Sequence, residues 1–152
     1  MSDILHRIGI KAQLPKVYSA ISTIEGISNW WTEETEGDEK ANGKIEFRFR
    51  ADDGSLKGMM RVEIRELNPS SGVRWKCIEG PAEWIGTDIT FDLSEQGGQT
   101  ILIFGHRNWK ETVEFTAHCS MKWATFLLSL REYVETGKGK PAPHDLKIDN
   151  WN

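Results

Sequence analysis

Cysteine is scarce in this 152-residue sequence: Cys77 and Cys119 are the only two, both in apolar surroundings and without a CxxC spacing. That excludes a disulfide framework and a cysteine-rich metal site, and it predicts two buried thiols. Histidine offers no metal centre either. His6, His106, His118 and His144 are scattered, no two of them stand two to four residues apart, and HExxH is absent. No cofactor is expected. No serine sits in a GxSxG elbow, and the acids Glu33, Glu34, Glu36, Asp38 and Glu39 lack the spacing of a calcium loop, so they read as a solvated stretch. No apolar run approaches the ~20 residues of a membrane helix, so no membrane span is expected. The opening segment MSDILHRIGI lacks a basic region, an apolar block and a small-residue cleavage site, which gives an expectation of a cytoplasmic protein. A net charge of −4, with lysines and arginines dispersed among acids, leaves no footprint for a polyanion, and nucleic acid is not an expected partner.

What is present is patterned. From Ile4 to Leu14 the residues Ile4, Ile8, Ile10, Ala12 and Leu14 share one parity and Arg7, Lys11 and Gln13 the other, which predicts a half-buried strand with His6 on the apolar side. Pro15 suits the first turn of a helix, and Val17, Ala20, Ile21 and Ile24 follow at three- and four-residue spacing until Gly26 can end it. A second short helix from Ile27 would set Ile27, Trp30 and Trp31 on one face. Strict alternation returns in KIEFRFR, with Ile45, Phe47 and Phe49 opposite Glu46, Arg48 and Arg50, and again over Lys57 to Leu67, where Met60, Val62 and Ile64 oppose Arg61, Glu63 and Arg65. Val73, Trp75 and Cys77 mark another strand. Alternation from Ile85 to Leu93 and the run TILIFGHRNW mark two more, separated by the turn signal EQGGQ. Then the period changes. Phe115, Cys119, Trp123, Phe126, Leu127, Leu130 and Val134 predict a helix from about Thr112 to Thr136, ended by Gly137. A tail with two prolines follows, in which Ile148 and Trp151 are the residues able to tuck against the body.

Five consecutive strands joined by short turns form an antiparallel meander with one wet face, where alternating Glu and Arg can pair across strands. The long helix carries the only apolar stripe extensive enough to cover the other face. The expected fold is therefore α+β: a curved six-stranded antiparallel sheet wrapped around a long C-terminal helix, with two short helices between strands 1 and 2. Such a wall leaves an open end. Trp30 and Trp31, large and apolar yet each with an indole N–H, suit the boundary between that end and the acidic loop.

The order of elements, with AISTIEGISNWWT, RWKC after NPSSG, and HCSMKWATFLLSLREYVETGKG in the last helix, resembles the SRPBCC or START-like superfamily, and within it the branch named after the activator of the heat-shock-protein-90 ATPase. The likeness runs to about Lys140, so residues 1–140 are expected to form the helix-grip domain and residues 141–152 a tail. The resemblance implies a helix-grip fold with a cavity between sheet and helix that often holds apolar ligands. The eukaryotic activator carries an additional amino-terminal domain that contacts the chaperone, whereas this sequence starts directly with the helix-grip portion, so chaperone activation is not part of the expectation.

Inward-facing aromatic and sulfur-containing residues are the candidates to line a ligand cavity: Trp31, Phe47, Phe49, Met60, Trp75, Phe91, Phe115, Trp123 and Phe126, with His106 and His118 as polar groups near it. Ordinary core packing accounts for such residues too. Glu63 and Asp88 fall with the polar set of their strands and read as solvated ion-pair partners rather than bases. The leading functional expectation is non-catalytic binding of a small hydrophobic or aromatic molecule. The alternatives are a polyketide cyclase or hydrolase-like enzyme using a cavity histidine or carboxylate, and an interaction module for a chaperone or regulator. Edge strands able to pair with a second copy leave room for a homodimer.

Overall fold

The computed structural model describes residues 1–152. The predicted first strand is β1 (Ser2–Ile10), which ends where the chain bends at Lys11 and Ala12. Pro15, whose fixed φ suits a first turn, lies at the start of α1 (Leu14–Ser22), and Val17, Ala20 and Ile21 are its buried stripe. Helix α2 (Ile24–Ser28) starts earlier than the tryptophan spacing implies, because Thr23 caps it: the Thr23 side chain accepts from Gly26 N at 3.0 Å. Gly26 therefore lies inside a helix instead of ending one. A Cβ at this position would stand 2.7 Å from the Ala20 backbone, so the glycine is what lets α1 and α2 approach. Ile27, Trp30 and Trp31 still share a face, since the chain continues for one turn beyond α2 and all three are buried.

Seven strands form one antiparallel sheet in the order β1-β7-β6-β5-β4-β3-β2, one more strand than the alternation predicts. The additional strand is β2 (Glu34–Gly37), within the acidic stretch read as loop. It buries only Thr35, so no apolar alternation announces it. What holds it is pairing with β3 (Lys44–Arg50) and charge: Glu34 meets Arg50 at 2.7 Å and Glu36 meets Arg48 at 2.9 Å on the outer face. A short, acidic edge strand also discourages unwanted strand addition. Next come β4 (Leu56–Asn68), β5 (Gly72–Glu79), β6 (Asp88–Gln96) and β7 (Gln99–Trp109). β6 begins three residues later than the alternation from Ile85 implies, because the chain turns at Pro81 and at Gly86, whose φ is +87°, leaving Ile85 exposed. Gly97 and Gly98, both at positive φ, close the two-residue hairpin between β6 and β7.

Helix α3 (Glu114–Thr136) lies across the concave face and is closed by Gly137, at φ +90°, whose N–H donates to Tyr133 O. Between helix and sheet the middle of the interior is filled by rings. Trp31 packs 4.2 Å from Phe47, 4.9 Å from Trp123 and 6.1 Å from Trp75, and the stack continues through Phe91 to Phe104, with centroids 5.0 and 5.4 Å apart. The outer face carries the expected ladder of ion pairs, including Arg61 to Glu46 and Glu79, Lys76 to Asp88, and Arg65 to Glu63.

The segment after Gly137 is built into the body. Ala142 is buried between Trp31 and Glu33, accepting from Glu33 N and donating its own N–H to Trp31 O. Ser129 Oγ donates to Trp30 O and accepts from Lys140 N, which ties the tryptophan pair, α3 and the tail together. No helix is long and apolar enough to cross a membrane.

Candidate functional site

The ring-packed middle gives way, at the first half of α3, to a cavity of about 520 Å³ open to solvent on one side. Trp31 and Trp123 form its floor, where the solid core ends. Phe49 and Met60 reach it from β3 and β4, and Phe115, Cys119 and Phe126 from α3. Trp84 closes the side towards β6 from the turn after Pro81. Opposite it stands the tail, through Asp145, Trp151 and Asn152. Gly58 contributes the absence of a side chain: it pairs with Phe49 across β3 and β4, and a Cβ there would meet nothing within 4 Å.

Of the residues singled out in the sequence, Trp31, Phe49, Met60, Phe115, His118, Trp123 and Phe126 come together around this space. Phe47, Trp75 and Phe91 lie outside it. They are at most 1% exposed and belong to the solid aromatic stack, packed ring against ring with Trp31. His106 is fully buried one layer behind the cavity wall.

The bonding of His106 fixes its protonation state. An indole N–H can only donate, so Trp123 Nε1, 3.1 Å away, makes His106 Nδ1 an acceptor. The neutral ring must then carry its proton on Nε2, which donates to Thr87 Oγ1 at 2.8 Å, and the Thr87 hydroxyl passes its own proton to Trp84 O. Burial pushes the imidazole pKa down to about 3, with Asp88 only partly opposing. No lone pair or proton is left for a ligand, so His106 positions Trp123 and the Trp84 turn.

His118 is different. It lines the cavity, and its Nδ1 lies 2.6 Å from Asp149 Oδ2. The ring is held between Phe115, stacked at 6.0 Å, and Trp151, edge-on at 5.2 Å. The bond from His118 holds the Asp149 carboxyl below the usual range, so the carboxylate accepts from Nδ1–H, and in the neutral form of the ring Nε2 is the nitrogen with a lone pair.

The polar wall is a second charge cluster. Lys122 Nζ uses all three of its protons on the tail, donating to Asp145 Oδ2 at 2.5 Å, Leu146 O at 2.9 Å and Asn152 Oδ1 at 2.5 Å, and it stands 4.9 Å over the Phe126 ring. Burial lowers its pKa, offset in part by Asp145. Burial alone would raise the Asp145 pKa, but the bonds from Lys122 and Lys147 outweigh it and keep the group ionised. Burial pushes both thiols up, Cys77 to about 11 and Cys119 to about 12, so neither is a thiolate nucleophile near neutrality.

Sequence reading missed Lys57, Gly58, Pro81, Glu83, Trp84, Cys119, Lys122, Asp145, Trp151 and Asn152 as wall residues. Lys122 carried a readable signal: it falls on the apolar side of α3, one residue before Trp123 and four before Phe126, and a lysine there needs a buried partner. The tail gave no such signal, because its contacts are polar and its sequence is aperiodic.

Comparison with known proteins comes down to one family and one fold. The model of the family described as Activator of Hsp90 ATPase homolog 1-like protein matches residues 11–135. Among solved structures, the chain is similar to the Aha1 dimer from Colwellia psychrerythraea, solved in solution, with 40% identity over 91% of this chain and 100% of that one and a TM-score of 0.77. The protein SSP2350 from Staphylococcus saprophyticus is similar at 16% identity, covering 91% of this chain and 95% of that one with a TM-score of 0.71. DynU16, from the dynemicin biosynthetic locus, is similar at 14% identity, covering 91% of this chain and 49% of that one, also with a TM-score of 0.71. At those identities the last two show the shared fold alone. No curated protein sequence matches the chain.

Proposed function

Because the chain belongs to the family of Activator of Hsp90 ATPase homolog 1-like proteins, a helix-grip fold with a ligand cavity, we propose that it binds one small hydrophobic or aromatic molecule between α3 and the sheet, without transforming it. The supporting observation is the cavity itself. Its roughly 520 Å³ falls in the range of ~300–1,000 Å³ usual for small-molecule sites, and seven of its seventeen lining residues carry an indole or phenyl ring. Gly58 supplies the test. Gly58→Leu places a side chain into open space on the cavity face of β4, so the fold is retained while the volume is taken up. The neutral probe 2-naphthylacetamide, followed by quenching of tryptophan fluorescence, is expected to saturate the wild type at one equivalent and to lose binding in Gly58→Leu. Equal binding to both proteins, or none to the wild type, refutes the reading.

A second reading, a cyclase or hydrolase-like enzyme, is favoured by one observation: the His118–Asp149 pair at the cavity wall has the geometry of an oriented general base. With 4-nitrophenyl acetate as probe, it requires hydrolysis by the wild type above that of free imidazole and loss of the excess in His118→Gln. Without that excess the reading fails. Self-association is proposed on the likeness to the Colwellia dimer, and sedimentation velocity decides it, a purely monomeric boundary at high concentration counting against it.

A further inference from the structure

The cavity is apolar around most of its wall, yet one side chain in it is an ammonium group without a counter-ion. Strand parity does not place Lys57 there. With Met60, Val62 and Ile64 inward, residues 57, 59 and 61 of a regular strand face outward. A register shift changes this. Phe49 pairs with Gly58, but Arg50 pairs with Leu56, so Lys57 is an extra residue opposite no partner, a β-bulge of the kind that re-aims a side chain beside a site. Arg50 and Leu56 remain outside, Arg50 in its ion pair with Glu34 and Leu56 exposed, while Lys57, itself exposed, stands at the rim of the cavity next to the empty space at Gly58.

The charges that act on Lys57, those of Lys122, Lys147, Asp145 and Asp149, are committed to other partners. Lys122 is saturated by Asp145, Leu146 O and Asn152; Asp145 also accepts from Lys147; Asp149 holds His118. Lys57 takes part in none of the fifteen ion pairs of the structure. Its surroundings are short of negative charge: burial lowers its pKa, and the cations Lys147 and Lys122 add to the effect more than Asp145 and Asp149 oppose it. Glu83, the other unpaired charge of the wall, belongs to the side formed by Trp84 and Cys119, and it acts on the Cys119 thiol rather than on Lys57.

We propose that the cavity takes an amphipathic monoanion, an aromatic or aliphatic carboxylic acid, with its apolar body against Trp31, Trp123 and Phe126 and its carboxylate on Lys57 Nζ. An apolar site with a single unpaired cation at its rim selects for a ligand that supplies the missing charge, because binding a neutral isostere leaves the ammonium partly desolvated and unpaired. The proposal rests on the cavity-binding reading above and names the class of ligand for it.

The test uses two probes of one shape, 2-naphthylacetate and 2-naphthylacetamide, titrated into the wild type, Lys57→Met and Lys16→Met. Lys57→Met keeps an unbranched stem, and Lys16→Met makes the same charge change on α1, outside the cavity wall. The wild type and Lys16→Met are expected to prefer the acid by roughly fivefold to tenfold, the scale of one partly desolvated ion pair. In Lys57→Met the preference disappears through weaker acid binding, with amide affinity unchanged. Equal affinities for acid and amide in the wild type, or the same loss in Lys16→Met, overturn the head-group assignment and leave cavity binding standing. Failure of both probes to bind the folded wild type overturns the cavity reading and this one with it.

Discussion

Lys122 on α3 and Asp145 in the tail form an ion pair whose side chains are 11% and 3% exposed, so the tail is fastened to the long helix by a charge contact shut away from water. The pair also forms part of the cavity wall, which makes the closure of the cavity and the docking of the tail one structural event. An apolar contact could hold the tail as well. An ammonium that donates to three acceptors in three directions instead sets the path of the whole segment from Asp145 to Asn152.

Breaking that pair on one side should therefore be costly and local. Lys122→Met leaves the buried Asp145 carboxylate with the half-exposed Lys147 as its only cationic partner, and the expected loss is about 2 kcal/mol, below the scale for a fully uncompensated buried charge. Hydrogen exchange should show residues 142–152 opening while the amides of β6 and β7 stay protected. Lys122→Met combined with Asp145→Leu should recover much of the loss, since no buried charge is then left behind and Lys147, 42% exposed, can turn to water. A double variant as unstable as the single one, or a tail that stays protected in Lys122→Met, refutes the anchoring role.

The same cluster shows where sequence reading stops. Alternation in KIEFRFR and the three- and four-residue spacing of Phe115, Cys119, Trp123 and Phe126 report burial directly, because one face of a strand or helix must be apolar to be covered. The sheet, the long helix and the cavity-wall rings carried by strands and helix, Phe49, Phe115, Trp123 and Phe126, were legible for that reason. β2 was not, since a strand that buries one threonine and pairs by charge leaves no period. Lys57 could not be placed by parity, because a bulge is a property of two strands in register and neither strand records it alone. Phe47, Trp75 and Phe91 carry the same inward signal as Phe49, and only depth along the sheet separates a ring in the solid stack from one at the cavity.

Gly26 and Gly137 read alike in sequence, each as a helix stop, and differ in what they tolerate. At Gly137 a side chain has open space and pays only for φ +90°, so Gly137→Ala should cost about 1 kcal/mol. At Gly26 the added Cβ would lie 2.7 Å from backbone atoms of Ser19 and Ala20, which cannot rotate away. Gly26→Ala should cost about 2–3 kcal/mol in urea unfolding and displace the α1–α2 pair that carries Trp30 and Trp31. Trp30 Nε1 donates to Ala20 O at 2.8 Å and the Trp30 ring stacks on Trp31 at 6.2 Å, so the same strain reaches the cavity floor. Equal losses for the two alanine variants would refute the close-approach account.

His106 gives the protein a predicted weakness in acid. Its folded pKa of about 3 lies below the ordinary 6.5, so the unfolded chain binds a proton that the folded chain does not. The stability gained from keeping the ring neutral is complete above pH 6.5 and is lost as the pH falls towards 3, at a rate on the order of 1 kcal/mol per pH unit. Carboxylates held low, such as Asp145, weaken the fold only below their ordinary range near 4, so the comparison of His106→Phe with the wild type is made between pH 6.5 and 4.5, where it reads the His106 contribution by difference. His106→Phe should be less stable at pH 7, having left Trp123 Nε1 without its acceptor, yet its urea midpoint should change little across that interval. Heteronuclear spectra of the wild type should show the Nε2–H tautomer at every pH at which the protein is folded, because a proton on Nδ1 would face the Trp123 N–H. A His106→Phe midpoint that falls with pH as steeply as the wild type's would remove the histidine as the cause and leave the acid sensitivity to the carboxylates.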